Sequence, residues 1–312
     1  MKLPVVFMMG PTASGKTDLA IHLSKTKQFE IISVDSAMIY REMNIGTAKP
    51  DNETLTIAPH HLINIRDPNE TYSVSEFCND ANRLIDQIHQ SHKIPLLVGG
   101  TIMYFYSLQF GLSELPPANK EVRDNLNALA DKHGWNALHQ KLAKCDPESA
   151  DKIHPNDTQR IQRALEVYEI TGTKMSDFQQ SVTNNRNDIS IINIGLYPED
   201  RAHLHTLIEN RFNQMLSDGV IEEVHNLKQK WKLGPNLPSM RCIGYRQVLY
   251  HLEYQNSYEE MKNQAIAATR QLAKRQLTWI RHYPNTFLYD PFVLSKEEIC
   301  HEIISQLPST SW

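Results

Sequence analysis

The segment Gly10-Pro11-Thr12-Ala13-Ser14-Gly15-Lys16-Thr17 constrains this chain more than any other. It fits the phosphate-cradling pattern G-x-x-x-x-G-K-[ST] at every fixed position. Such a loop works only between a strand and a helix, and both flanks are present. The run Val5-Val6-Phe7-Met8-Met9 reads as a buried parallel strand, and Leu19, Ala20, Ile21 and Leu23 form an apolar face at helical spacing. The glycines let successive N–H groups turn inward, and the helix start adds about half a positive charge at the same place. By the logic of the motif Lys16 reaches an outer phosphate and the Thr17 hydroxyl holds Mg²⁺. A chance match in an ordinary strand-to-helix turn is the competing reading, and the paired flanks weigh against it.

The 312 residues are 40% apolar and 22% charged, ordinary values for a globular chain of one large domain or two. Four cysteines, Cys78, Cys145, Cys242 and Cys300, lie far apart without a C-x-x-C pair, which argues against a zinc site or a disulfide framework and fits a reducing compartment. The apolar stretch after Met1-Lys2 is too short for a signal peptide and runs directly into the glycine loop. No run approaches the roughly 18 apolar residues of a membrane helix. A cytoplasmic location and no membrane partner are expected. A net charge of −4 argues against indiscriminate nucleic-acid binding. Charge is nevertheless uneven: Arg270, Lys274, Arg275 and Arg281 fall between residues 269 and 283 with no acid among them, whereas Glu253, Glu259 and Glu260 lie outside that stretch.

The first hundred residues alternate strand and helix signals. A second strand, Phe29-Glu30-Ile31-Ile32-Ser33-Val34, ends at Asp35-Ser36. A helical stretch from Ser75 to His89 follows, and then a short buried strand, Ile94 to Val98, that closes in Gly99-Gly100-Thr101. Alternation of this kind implies parallel β-α-β units with the ligand outside the carboxyl ends of the strands. Asp35 and Thr101 should therefore share a rim with the phosphate loop. After Leu115-Pro116-Pro117 the chain reads as helices alone to about residue 180, including one that starts at His154-Pro155-Asn156-Asp157, stops at Gly172, and buries Ile161, Ala164, Leu165 and Tyr168. Its Arg160 and Arg163 look unpaired. Strand character returns over residues 188–196, and long helices are expected over about 201–230 and 258–281, separated by a loop that contains Met240 to Arg246. The expected architecture is a P-loop parallel sheet flanked by helices, with residues 1–114 and 189–312 as the catalytic core and 115–188 as a mostly helical insertion domain.

Most loops of this type serve ATP or GTP. A GTP switch needs an Asn-Lys-x-Asp reader, and Asn119-Lys120-Glu121-Val122 lacks the aspartate. An ATPase usually ends an apolar strand in a Mg²⁺-holding aspartate, yet the strand at 94–98 ends in Gly99-Gly100-Thr101. Asp35 is the carboxylate best placed to act.

At this point the residues resemble a known family. Gly10 to Thr17, Asp35-Ser36 with Tyr40, Ile45-Gly46-Thr47-Ala48-Lys49-Pro50 and Gly99-Gly100-Thr101-x-x-Tyr104 resemble the tRNA dimethylallyltransferases, or isopentenyltransferases. So do Ile153 to Asp157, Arg160 to Arg163, Arg241 to Arg246, and Lys274 through Trp279 to Arg281, and together these segments span nearly the whole chain. The resemblance implies transfer of a dimethylallyl group from dimethylallyl diphosphate to N6 of adenine 37, beside the anticodon of tRNAs that read codons beginning with U. The partners implied are that diphosphate and a tRNA anticodon stem-loop, Mg²⁺ is the cofactor, and a single chain is the expected working unit. Loop residues Gly10, Pro11, Thr12, Ala13, Ser14, Gly15, Lys16 and Thr17 would hold the diphosphate with Arg211, and Thr17 the metal.

Asp35 is the expected general base toward the adenine amine, with Thr101 beside it. The tRNA contacts implied are Asp35, Ser36, Ala37, Met38, Thr101, Arg123, Gln159, Arg160, Ile161, Gln162 and Arg163; then Arg241, Cys242, Ile243, Gly244, Tyr245 and Arg246; then Lys274, Arg275, Gln276, Leu277, Thr278, Trp279, Ile280 and Arg281. Two departures stand out. Many members carry Gln where this chain has Met38, so direct base readout there is in question. Some eukaryotic members add a C2H2 zinc finger, whereas Cys300-His301 is all the tail here offers, which fits the bacterial type. Alternatives from the residues alone are a small-molecule kinase using the loop for ATP and a nucleotide-gated RNA-binding protein without transfer chemistry.

Overall fold

Four of the strands are apolar runs buried on both faces, as parallel strands between helical layers must be. The computed structural model describes residues 2–26, 28–113, 115–179, 186–254 and 256–308; residues 180–185 of the expected insertion lie outside this set. In chain order the core elements are β1 (Leu3–Met9), α1 (Lys16–Ser24), β2 (Phe29–Val34), α2 (Asn52–Ile57), β3 (His60–His61), α3 (Val74–Gln90), β4 (Ile94–Gly99) and α4 (Ile102–Phe110). Helices α5 (Lys120–His133), α6 (Trp135–Cys145), α7 (Pro147–Lys152), α8 (Thr158–Thr171) and α9 (Met175–Gln179) follow. The chain then returns through β5 (Ile189–Leu196), α10 (Arg201–Ser217), α11 (Val220–Trp231), α12 (Tyr245–Tyr254), α13 (Tyr258–Arg281), β6 (Thr286–Tyr289) and α14 (Lys296–Ser305).

The six strands form one sheet in the order β3-β2-β4-β1-β5-β6, and every pairing is parallel. Register is what builds the site. Met9 and Val34 both pair with Gly99, so Gly10, Asp35 and Gly100 leave the sheet at one level on its carboxyl edge. Gly99 admits no side chain, because a Cβ there would run into the Val34 carbonyl.

The chain divides into two units, Met1–Gln109 with Arg186–Trp312, and Phe110–Asn185. The second is helical, with Leu126, Leu138, Leu142, Ile161, Ala164 and Leu165 as its core. Asp157 caps α8 by accepting the Arg160 N–H at 3.2 Å, and Gly172 ends that helix at φ 69°. Tyr168, expected in this core, is only half-buried; Glu166 is fully buried instead.

Two expectations about the helices need correction. The helix expected over 201–230 is two helices, because the backbone at Gly219 is left-handed (φ 95°) and cannot continue a right-handed turn. The loop expected through Met240 to Arg246 already starts α12 at Tyr245. The short edge strands β3 and β6 carried too little periodic pattern to be read, whereas α14 was overlooked although it starts at a Ser295–Glu298 capping box and buries Ile299, Cys300 and Ile303. No described helix is long and apolar enough to cross a membrane.

Candidate active site

The phosphate loop is built from two left-handed residues, Ala13 (φ 63°) and Gly15 (φ 77°), which turn the chain sharply before α1 begins at Lys16. Its interior is tied by the Pro11 carbonyl, which accepts from Ser14 Oγ at 2.9 Å and from Lys16 Nζ at 3.0 Å. Gly10 N–H donates to the Gly99 carbonyl at 3.2 Å, joining the loop to the neighbouring strand end. A cavity of about 390 Å³ opens over Ala13 to Asp18, walled by Ala48, Pro50, Asp51, Thr54 and Arg211. A larger one of about 860 Å³ shares Ala48, Pro50, Asp51 and Arg211 and continues to Lys49, Asn64 and Met215.

Lys16 and Arg211 are desolvated in this cleft, which the acids Asp18 and Asp51 also line. Burial, reinforced by Arg211, pulls Lys16 down to about 8, and Asp35 opposes that shift. Arg211 is also lowered by burial, with Asp35 and then Asp18 opposing. Neither cation makes an ion pair with a carboxylate among the described residues, although both feel Asp35. Two desolvated like charges facing one cleft create a demand for an anion.

Asp35 follows β2 directly. Its Oδ1 accepts the N–H groups of Ala37 at 2.8 Å and Met38 at 3.2 Å, which closes a tight turn. The turn-capping role thus occupies one carboxylate oxygen, and Oδ2 has no hydrogen bond among the described residues. Thr101 joins the same rim: its Oγ1 accepts the Ser36 N–H at 3.1 Å and lies 3.5 Å from Ser36 Oγ. Strand ends that are 65 residues apart in sequence are thereby stitched together.

The segment Ile45 to Pro50 forms part of the wall, and an acid far away in sequence holds it. Glu223 on α11 accepts the N–H groups of Asn44 (2.9 Å), Ile45 (2.8 Å) and Gly46 (3.2 Å), and takes the Tyr245 hydroxyl at 2.5 Å. A Cβ on Gly46 would meet the Tyr245 ring, so glycine is required there. Lys49 Nζ donates to the Tyr40 carbonyl at 2.6 Å and to Asn64 Oδ1 at 2.7 Å; burial lowers it to about 8 against the pull of Glu223 and Asp35.

These observations match a known family. Residues 38–283 fit the IPP transferase family. The chain belongs to that family. The tRNA dimethylallyltransferase of Legionella pneumophila (strain Philadelphia 1) is 55% identical over 286 residues, covering 92% of this chain and 91% of its own. That of Coxiella burnetii (strain RSA 493) is 51% identical over 281 residues, 90% of each chain. Among solved structures, the tRNA isopentenylpyrophosphate transferase of Bacillus halodurans matches with a TM-score of 0.70 and 36% identity over 98% of this chain and 96% of its own. A eukaryotic dimethylallyltransferase acting on tRNA matches with a TM-score of 0.79 and 28% identity over 99% and 81%.

The other residues singled out by sequence divide into exposed and interior ones. On α13, Lys274, Arg275, Thr278, Trp279 and Arg281 are exposed, whereas Gln276, Leu277 and Ile280 are buried. Arg270 is not free of acids, since it pairs with Glu209 of α10 at 2.8 Å. Around α12, Arg241 and Arg246 are exposed, Cys242 and Ile243 are half-buried, and Gly244 and Tyr245 are interior.

In the helical unit, Gln159 and Arg160 are exposed, Gln162 donates to Asn127 Oδ1 at 2.7 Å, and Ile161 is core. The arginines there are not unpaired. Arg160 lies 3.4 Å from Asp157, while Arg123 (2.8 and 3.1 Å) and Arg163 (2.7 Å) clamp the buried Glu166 carboxylate, which the Asn119 N–H also reaches. Burial raises all four cysteine thiols, and no cluster able to hold a metal through Cys, His and acids occurs among the described residues.

Sequence reading missed Glu223 because its partners are main-chain N–H groups, which have no sequence signature. Lys49 carries a sequence signal only as part of the Ile45 to Pro50 motif. The signal for Gln276 was a polar residue in register with the apolar positions Ala273, Leu277 and Ile280.

Lys49 supports a test of the wall. Its folded-state pKa lies below its unfolded value, so the unfolded chain binds the extra proton between about pH 8 and 10.5, and stability rises with pH across that window. Chemical unfolding of wild type and Lys49→Met from pH 7 to 10.5 should show the difference in stability moving in favour of wild type as pH rises. A difference that stays flat would mean that Lys49 is not desolvated in the wall.

Proposed function

We propose that this chain transfers a dimethylallyl group from dimethylallyl diphosphate to N6 of adenine 37 in the anticodon loop of tRNAs that read codons beginning with U. The observation that carries the reading is the pair of desolvated cations without an ion-pair partner among the described residues, Lys16 and Arg211, facing the phosphate-loop cleft with Asp35 at its rim. The relatives named above act as tRNA dimethylallyltransferases, which supplies the two substrates.

In this reaction the allylic carbon–oxygen bond breaks and its electron pair leaves on the diphosphate. A new bond forms from N6 to the allylic carbon, and the N6 proton goes to a base. The loop N–H groups, Lys16 and Arg211 stabilise the charge that grows on the leaving oxygen, so the electrostatics act where the transition state needs them. The residues fit a Mg²⁺, which Thr17 would hold together with the diphosphate: Thr17 lies in the first turn of α1, and its side chain has no hydrogen-bond partner among the described residues. Bound there, the ion would add charge neutralisation to the diphosphate. Asp35 serves as base through Oδ2, since Oδ1 is committed to the turn that aims the carboxylate. The exocyclic amine is a weak nucleophile, and base assistance is worth about 10² to 10⁴ fold. The adenine must leave its stack to arrive, as with other enzymes that act on base atoms. Met38 offers an apolar surface rather than a hydrogen bond to a neighbouring base.

Transfer should need no nucleotide. Mass spectrometry of a tRNA substrate incubated with dimethylallyl diphosphate and Mg²⁺ should show one added dimethylallyl group per molecule. Asp35→Asn should lower kcat by about 10² or more while diphosphate affinity stays near wild type. An absolute need for ATP would favour the kinase alternative, and normal turnover by the variant would remove Asp35 from the role of base.

For the RNA, the exposed cations Lys274 and Arg275 on α13 have no ion-pair partner among the described residues and serve the phosphate backbone. Replacing both by Ala should weaken tRNA binding whatever the loop sequence. It should also reduce the slope of log K against log salt by about 0.7 to 0.9 for each phosphate no longer neutralised, with diphosphate binding unchanged. Parallel salt plots with equal affinity would assign this face to solvent.

A further inference from the structure

Near its C-terminal end helix α13 presents Lys274, Arg275 and Arg281 outward and a single amide inward. Between Ala273 and Ile280 its buried face is apolar except for Gln276, which is 8% exposed. The Gln276 head bridges two loops that belong to different strand ends. Thr12 N–H in the phosphate loop donates to Oε1 at 3.0 Å, and Nε2 donates to the Gly100 carbonyl at 2.8 Å. A primary amide is the neutral side-chain head that presents a strong donor and a strong acceptor side by side. A carboxylate would set an oxygen against the Gly100 carbonyl, and an apolar chain would leave both main-chain groups unmet.

Two further features show how closely this bridge is fitted. A Cβ on Gly100 would strike Gln276 Nε2, so the glycine makes room for the amide. The Thr12 N–H that Gln276 receives comes immediately before Ala13, whose left-handed backbone (φ 63°) is disfavoured for a residue with a side chain and needs outside support.

We propose that Gln276 is a positioning residue that holds the phosphate loop and the Gly100 turn in their ligand-ready geometry and links them to the RNA-facing side of α13. Lys274 and Arg275 lie within two residues of it on the same helix. The link to RNA rests on the prenyl-transfer reading above. Any ligand that steadies α13 then also raises the fraction of molecules with a competent loop, so RNA and diphosphate assist each other's binding.

The test uses the full chain and Gln276→Met, which keeps volume and removes both hydrogen bonds. A second variant, Gly100→Ala, displaces the amide from the opposite side without changing the sequence of α13. Inorganic diphosphate with Mg²⁺ is titrated by calorimetry with and without an anticodon stem-loop RNA, and melting temperatures show that each variant is folded.

In wild type, RNA should tighten diphosphate binding several-fold, and diphosphate should tighten RNA binding by the same factor. Both variants should bind diphosphate about tenfold more weakly and lose the mutual enhancement, while RNA affinity measured without diphosphate stays within about twofold. A folded Gln276→Met protein that binds diphosphate as wild type does would reduce Gln276 to a packing role. Wild type that shows no enhancement would overturn the link to RNA. These binding ratios are independent of turnover, so a wild-type protein that couples its ligands but transfers no prenyl group contradicts the proposed reaction and leaves the role of Gln276 supported.

Discussion

Two cations forced into one desolvated cleft dominate this structure. Lys16 and Arg211 each lose hydration and each repels the other, a cost that a fold meets only with support from elsewhere. Here the support comes from backbone. Parallel register brings Gly10, Asp35 and Gly100 to one edge, Gly99 closes against Val34, and Gln276 ties the loop to the neighbouring turn. The fold itself thus supports the loop, and the free energy of two desolvated cations without an ion-pair partner among the described residues favours an anion that carries several negative charges.

The same use of backbone explains Glu223. A carboxylate that gathers three consecutive N–H groups fixes a loop that has no regular structure of its own, and so turns Ile45 to Pro50 into a wall. Glu166 has a comparable role in the helical unit, where Arg123 and Arg163 satisfy its buried charge. Removing one partner of such a group leaves the other buried and unmet, so these arginines bear on stability as well as on any RNA contact.

How much was legible in the sequence follows from the range of each interaction. The phosphate loop, β1, β2, β4 and the convergence of Asp35 with Thr101 follow from local pattern and from the parallel connection it implies. The break at Gly219 was visible as a glycine, but amphipathic pattern on both sides concealed it. Pairings that depend on folding were not legible: Arg270 with Glu209 across 61 residues, or Arg163 and Arg123 with Glu166. Basic stretches show where cations are, and not which of them the fold has already neutralised. Gln276 shows the reverse, because its place in an RNA-like basic motif hid an inward side chain.

The central claim is that the loop holds diphosphate as a leaving group and performs no phosphoryl transfer. The most direct measurement is a product balance in a single turnover, counting inorganic diphosphate and orthophosphate against modified RNA when bridge-oxygen-labelled dimethylallyl diphosphate is supplied without nucleotide. The account predicts one diphosphate per prenylated RNA, with the labelled bridging oxygen retained in that diphosphate and no orthophosphate formed. Release of orthophosphate, or diphosphate formed without matching RNA modification, would contradict it.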